Sequence, residues 1–113
     1  MEQDFISAVA AYFDAWKSKL GTNTVNRRAD AITLLVDKWQ KEGKAIECLQ
    51  RLLENATPEV RLSAANSLVR LGVYEQVIPV LRALENDGEG RISLDAKLTL
   101  MVLAKRQEDA RTF

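Results

Sequence analysis

Apolar residues return every three or four positions along most of this chain, and polar or glycine-containing breaks cut the pattern into six segments. That spacing describes one face of an α-helix. In the first segment, residues 4–20, the residues Phe5, Ala8, Val9, Tyr12, Phe13, Trp16 and Leu20 share a side, and Gly21 is the expected stop. The stripe reads as core, with an aromatic ligand shelf as the alternative. Thr22 or Thr24 is expected to cap a second helix that runs to about Glu42. Its apolar side carries Val25, Ala29, Ile32, Leu35, Val36 and Trp39, and its polar side Asn26, Asp30, Thr33 and Asp37. Gly43 ends it. A shorter helix over 44–54 then turns Ile46, Leu49, Leu52 and Leu53 inward.

The stretch ENATPEVRLSAANSLVRLG, residues 54–72, is apolar on two sides. Thr57 is the expected cap, and Pro58 fits the first helical position, where a missing N–H costs nothing. Val60, Ala64, Leu68 and Leu71 form one apolar line, and Leu62, Ala65 and Val69 form a second beside it. Ser63, Asn66, Ser67 and Arg70 share the remaining face, and Gly72 supplies a left-handed stop. A fifth helix is expected from about Tyr74 to Asn86, burying Val77, Ile78, Leu81 and Leu84, with Pro79 in its first turn. The sixth segment, residues 91–105, is ambiguous. RISLDAKLTL alternates as a strand would, yet on a helical wheel it gives two lines: Ile92, Ala96, Leu100 and Leu103, then Leu94, Leu98 and Met101. No second strand pairs with it, and a lone strand leaves open hydrogen bonds, so the reading is helix. Residues 106–113 are expected to fray or to cover the end of the chain, with Phe113 folding back.

The order short helix, turn, long helix repeats. Ile46, Leu49 and Leu52 return thirty-two positions later as Ile78, Leu81 and Leu84, and Arg61, Leu62, Ser63 and Leu68 return thirty positions later as Arg91, Ile92, Ser93 and Leu98. A period near thirty points to stacked helix pairs. An inner helix of such a stack buries one side against its own partner and another against the next pair, which accounts for two apolar lines.

TPEVRLSAANSLVRLGVYEQVIPVLRAL resembles a short HEAT-type repeat through Pro58, Val60, Arg61, Ala64, Ala65, Leu68 and Gly72, then Val77, Leu81 and Leu84. The likeness spans roughly residues 44–105. Ankyrin shares the Thr57-Pro58 opening, but no Leu-His follows the proline and the run to Leu71 is too long. The Trp, Gly and Tyr positions of tetratricopeptide repeats are missing. The resemblance implies an all-α, right-handed α-solenoid of about three helix pairs, with residues 1–113 as a single domain. Over nearly its whole length the chain is also similar to a family of small bacterial HEAT-like domains, through VRLSAA and a glycine-rich turn leading to SLDAKLTL. That similarity implies a small bacterial protein, for which toxin-neutralising immunity is one occupation.

Charge narrows the function classes. Sixteen basic and sixteen acidic residues cancel, and the two halves each balance as well. A protein that grips phosphates carries a basic surplus, so direct nucleic-acid binding is not expected. The chain has no histidine, which removes the commonest general base and the usual triads and zinc sites. The single cysteine, Cys48, forms no internal disulfide and reads as a packed thiol. No catalytic residue, cofactor or metal site is expected, and the calcium-loop pattern is absent around Glu85, Asp87 and Glu89. The acidic start has no signal-peptide pattern, and the longest apolar run, Leu100 to Ala104, is too short for a membrane, so a cytoplasmic location is expected.

Binding another protein remains. In a curved stack the long second helices line the inside, so their polar faces are the expected grip: Asn26, Asp30, Thr33 and Asp37, then Ser63, Asn66, Ser67 and Arg70, then Arg91, Asp95 and Thr99. The bland alternative is a solvated face on which Arg91 and Asp95 pair one turn apart. The acidic turn Glu85, Asp87 and Glu89 is a second candidate, able to steer a basic partner. The expected partner is a protein, in the sharpest form a cognate toxin domain; a larger enzyme needing an adaptor, or a nucleic acid, are the alternatives.

Overall fold

The computed structural model describes residues 2–88 and 90–111, without the side chains of Asp87 and of 107–111. Six helices follow one another: α1 (Glu2–Lys17), α2 (Thr22–Lys41), α3 (Ala45–Leu52), α4 (Pro58–Arg70), α5 (Val77–Asp87) and α6 (Gly90–Arg111). Among the described residues there is no strand. The alternating segment RISLDAKLTL is helical, and the helix runs on through Arg111 where a frayed tail was expected. Phe113 lies outside the described residues.

Consecutive helices pack as three pairs, α1 with α2, α3 with α4 and α5 with α6. The helix with most neighbours is α4, which touches α1, α3, α5 and α6. That position explains its two apolar lines: Val60, Leu62, Ala64, Ala65, Leu68 and Val69 are all buried. Ser67, expected on the wet face, is buried too. Its hydroxyl donates to the Ser63 carbonyl at 2.8 Å, so the backbone of α4 itself satisfies the polar group. The radius of gyration is 14.2 Å, with extents of 43 × 34 × 27 Å, slightly looser than the roughly 13 Å of a compact 100-residue domain, as a stack should be.

The core is continuous along the stack. Phe5 and Trp39 stack at 5.7 Å between ring centroids and close the α1–α2 pair. Arg28 of α2 donates to the Ala11 carbonyl at 2.7 Å, and Arg51 of α3 donates to Glu2 at 2.6 Å, tying the start of α1 to the second pair. Cys48 is buried, as a packed thiol should be. The repeat is visible as burial. Leu49 and Leu81 are fully enclosed, and so nearly are Leu52 and Leu84, each pair thirty-two residues apart. Ile46 and Ile78 are the exception: Ile46 is exposed, because Ala45 and Cys48 turn inward instead. The long helices repeat at thirty-two as well, not thirty. Ala64 and Ala96 are both fully buried, whereas the thirty-residue pairing would equate buried Leu68 with exposed Leu98.

Three helices end in the same way. After α2, Gly43 at φ 74° sits where Lys44 N–H reaches back to the Trp39 carbonyl at 3.0 Å; after α4, Gly72 at φ 85° sits where Val73 N–H reaches Leu68. These are left-handed stops of the expected kind. After α1 the left-handed position falls on Lys19 (φ 54°), with Leu20 N–H bonded to the Ala15 carbonyl, so Gly21 is not the stop. Gly21 instead precedes α2 as its cap residue, with φ 96° and ψ 159°, and neither Thr22 nor Thr24 caps by side chain. Thr57 holds the cap position of α4 without a side-chain bond. Asn55 does that work: its side-chain oxygen accepts from Thr57 N–H at 2.9 Å, and its carbonyl accepts from Arg61 at 2.8 Å.

Candidate partner-binding face

The polar strip of α4 is set by helical geometry. Glu59, Ser63, Asn66 and Arg70 fall at i, i+4, i+7 and i+11, so they stand above one another on one side of the helix. Two hydrogen bonds join this strip to the long helices on either side. Arg70 Nη1 donates to Thr33 Oγ1 of α2 at 3.3 Å. The Thr99 hydroxyl of α6 lies 3.0 Å from Asn66 Oδ1 and 3.0 Å from the Asp95 carbonyl. One proton serves one of these acceptors; with the amide turned over, Asn66 donates instead and both contacts are kept. Thr33, Asn66 and Thr99 thus mark one row across α2, α4 and α6.

Asp30 and Asp37 flank Thr33 one turn to each side, and both are exposed. Ser63 is half-buried beneath the row, and Arg70 is exposed at its edge. Arg91 and Asp95 pair, Nε to Oδ2 at 3.6 Å, as the solvated-face alternative expects. The structure therefore joins Thr33 to Arg70 by one side-chain bond and Asn66 to Thr99 by another, and brings in Asp30, Asp37, Ser63, Arg91 and Asp95 only by their register on the same three helices.

Sequence reasoning missed Trp16. Its place in the α1 stripe marked it as core, yet it is 42% exposed, and the Arg91 guanidinium lies 3.6 Å over its ring. The contact spans from the end of α1 to the start of α6. Trp16 stands between two depressions: one of 300 Å³ against Lys19, Thr22, Val25 and Asn26, and one of 450 Å³ against Phe13, Lys17, Glu59 and Arg91. The signal was weak but present, since Trp16 and Leu20 close the stripe where α1 runs out of helix to pack against. A larger depression of 540 Å³ lies beside Leu34 and Asp37 but is bounded by residues of the C-terminal half of α2 and its cap alone, with no opposing wall.

Of the acidic turn, Glu85 does not join this face. Glu85 lines a groove between α5 and α6 with Arg82 and Lys97, and its carbonyl accepts from the Ser93 hydroxyl at 2.7 Å. Lys97 and Thr99 are two positions apart on α6 and so point to different sides. The Asp87 side chain and Glu89 lie outside the described residues. Among the described residues two groups are held away from their ordinary values, both far along the chain from Trp16 and Arg91. The bond from Lys44 holds the Glu42 carboxyl below its usual range, and the bond to Glu2 raises the Arg51 guanidinium. Among the described residues no cluster of histidine, cysteine or carboxylates could hold a metal ion, and no helix is long and apolar enough to cross a membrane.

Residues 14–101 match the family described as HEAT repeats, a stretch from the last turn of α1 to the middle of α6. No curated protein and no solved structure matches the chain.

Proposed function

The chain belongs to the HEAT-repeat family, and from that premise we propose that it grips a partner protein with the joined polar face of α2, α4 and α6. HEAT repeats are typically non-catalytic scaffolds that mediate protein–protein interaction. The observation that carries the placement is the row Thr33, Asn66 and Thr99, bonded through Arg70 and the Thr99 hydroxyl. Bonds between helices hold these polar groups in fixed register, which lowers the ordering cost when a partner docks. Trp16 and Arg91 at the edge of the face are the residue types that dominate interface energetics when a partner desolvates them.

The sharper form of the proposal is an immunity protein that covers the active site of a cognate bacterial toxin, for instance a nuclease. Asp30 and Asp37 support it. Two exposed carboxylates beside a hydrogen-bonded row can stand where a nuclease expects phosphates, and they speed encounter with a basic cleft. A regulatory adaptor for a larger enzyme would use the same face. The neutral charge balance counts against direct nucleic-acid binding.

The test is a double charge reversal, Asp30→Lys with Asp37→Lys, measured by calorimetry against the protein that co-purifies with the chain. At least a tenfold loss of affinity with an unchanged melting temperature is expected; unchanged affinity would remove the face from the interface. Co-expression with a toxin encoded beside the chain tests the sharper form: growth is rescued if the chain neutralises it, and death regardless ends the immunity reading. DNA or tRNA binding that falls steeply with salt would overturn protein binding as the primary role.

A further inference from the structure

The last long helix repeats the pattern of α4 without its neighbours. At a spacing of thirty-two, Leu62 and Val69 of α4 correspond to Leu94 and Met101 of α6. The first two are 1% and 9% exposed; their counterparts are 54% and 58% exposed. The other apolar line turns inward in both helices, with Ala64 and Ala96 fully buried, although Ile92 and Leu100 are only partly buried where Val60 and Leu68 are closed off. So α6 packs its first line less tightly than α4 does and leaves its second line open. Leu98, 49% exposed, and Val102 complete the stripe at i, i+4, i+7 and i+8. The sequence pattern leads one to expect the tail to cover this line; residues 112–113 and the side chains of 107–111 lie outside the described residues, and among the described residues the line is open.

A face of this kind is shaped for another helix, because in α4 the same positions are covered by packed helices. Its surroundings choose the occupant. Lys97 stands beside the stripe, Lys105 continues it, and Arg82 of α5 lines the adjoining 350 Å³ groove with Ile78 and Met101. Glu85 is the one anion among the described residues lining that groove. Two copies of this face would bring lysine against lysine, which opposes self-association.

We propose that the open face of α6 is a second docking site, adjoining the polar face along the paired Arg91 and Asp95, and that it takes an acidic amphipathic helix of a partner protein. The apolar side of that helix lies along Leu94, Leu98 and Met101, as a following repeat would, and its carboxylates meet Arg82, Lys97 and Lys105. This is helix-in-groove recognition, with affinity from the apolar anchors and selectivity from the rim.

The experiment uses the full ¹⁵N-labelled chain and three probes: a Leu/Glu amphipathic helical peptide, a Leu/Lys peptide of the same pattern, and phosphatidylglycerol vesicles. The Leu/Glu peptide is expected to shift the amide signals of residues 94–102, and the Leu/Lys peptide to leave them in place. Leu98→Glu, and separately Lys97→Glu with Arg82→Glu, should each weaken the Leu/Glu peptide about tenfold while circular dichroism shows the fold intact. Equal binding of both peptides, shifts confined to other helices, no binding, or vesicle binding that outcompetes the peptide would each overturn the proposal. Concentration-dependent dimerisation that protects residues 94–102 would also overturn it, in favour of a second copy.

Discussion

Replacing Trp16 with alanine separates two roles for an aromatic residue at the end of α1. As an ordinary core tryptophan it would cost about 3–5 kcal/mol. The geometry gives a smaller and divided value. An aromatic side chain of this size carries roughly 150–250 Å², and at 42% exposure somewhat more than half of it is hidden. At about 25 cal/mol per Å², less the part already hidden in a compact unfolded chain, the loss comes to about 2 kcal/mol. Part of that is specific to Arg91, whose guanidinium lies 3.6 Å over the ring. A partly exposed cation–π contact contributes about 0.5–1 kcal/mol. Urea unfolding of wild type, Trp16→Ala, Arg91→Ala and the double variant, followed by far-ultraviolet circular dichroism and by the fluorescence of the remaining Trp39, yields the coupling energy. A coupling of about 0.5–1 kcal/mol inside a total near 2 kcal/mol is expected. A total above about 4 kcal/mol would return Trp16 to the core, and a coupling of zero would reduce its contact with Arg91 to proximity.

Other substitutions test the stack and its ends. Lys19→Gly relieves a left-handed backbone position (φ 54°) and should raise stability by about 1 kcal/mol; a loss would show that Lys19 is held there by something its side chain does. Leu68→Ala empties a fully buried position in α4 and should cost about 2–5 kcal/mol, read from the urea midpoint; a loss under about 1 kcal/mol would mean α4 is not central. Leu98→Ser should leave stability within about 0.5 kcal/mol while lowering retention on a hydrophobic column; strong destabilisation would mean the face is covered in solution. The Glu42 carboxyl is held below its usual range by Lys44. Its contribution is therefore present above the ordinary carboxylate value and is lost as pH falls through the depressed one. Glu42→Gln should flatten that part of the acid limb of an unfolding-midpoint titration, and an unchanged limb would contradict the assignment.

What the pattern of apolar residues revealed depended on whether the deciding interaction was local. Helical period placed all six helices, because burying a stripe is the same problem in any stack. Even the alternating segment 91–100 could be read as helix, since a strand there had no partner. The glycine stops at Gly43 and Gly72 were legible for the same reason: the left-handed position follows directly on the helix it ends. Lys19 escaped because Gly21 was a better residue two positions away, and the chain used it before α2 instead. Ser67 escaped because a serine bonded to its own helix looks like a surface serine in sequence. The joined row of Thr33, Asn66 and Thr99 was foreseen as a shared face, but the bonds that join it depend on the tilt between pairs, which no local pattern encodes. Trp16 and the open line of α6 are matters of which neighbour is present, and that is a property of the assembled stack.

Native-state hydrogen exchange tests the central claim most directly, namely that three helix pairs are stacked around α4. If they are, the amides of residues 62–69 should exchange only when the whole chain unfolds, with a free energy equal to the global one from urea unfolding. Those of residues 98–106, on the open side of the stack, should exchange through a smaller opening. Protection that is highest in α1 and α2 while α4 opens locally would contradict the account.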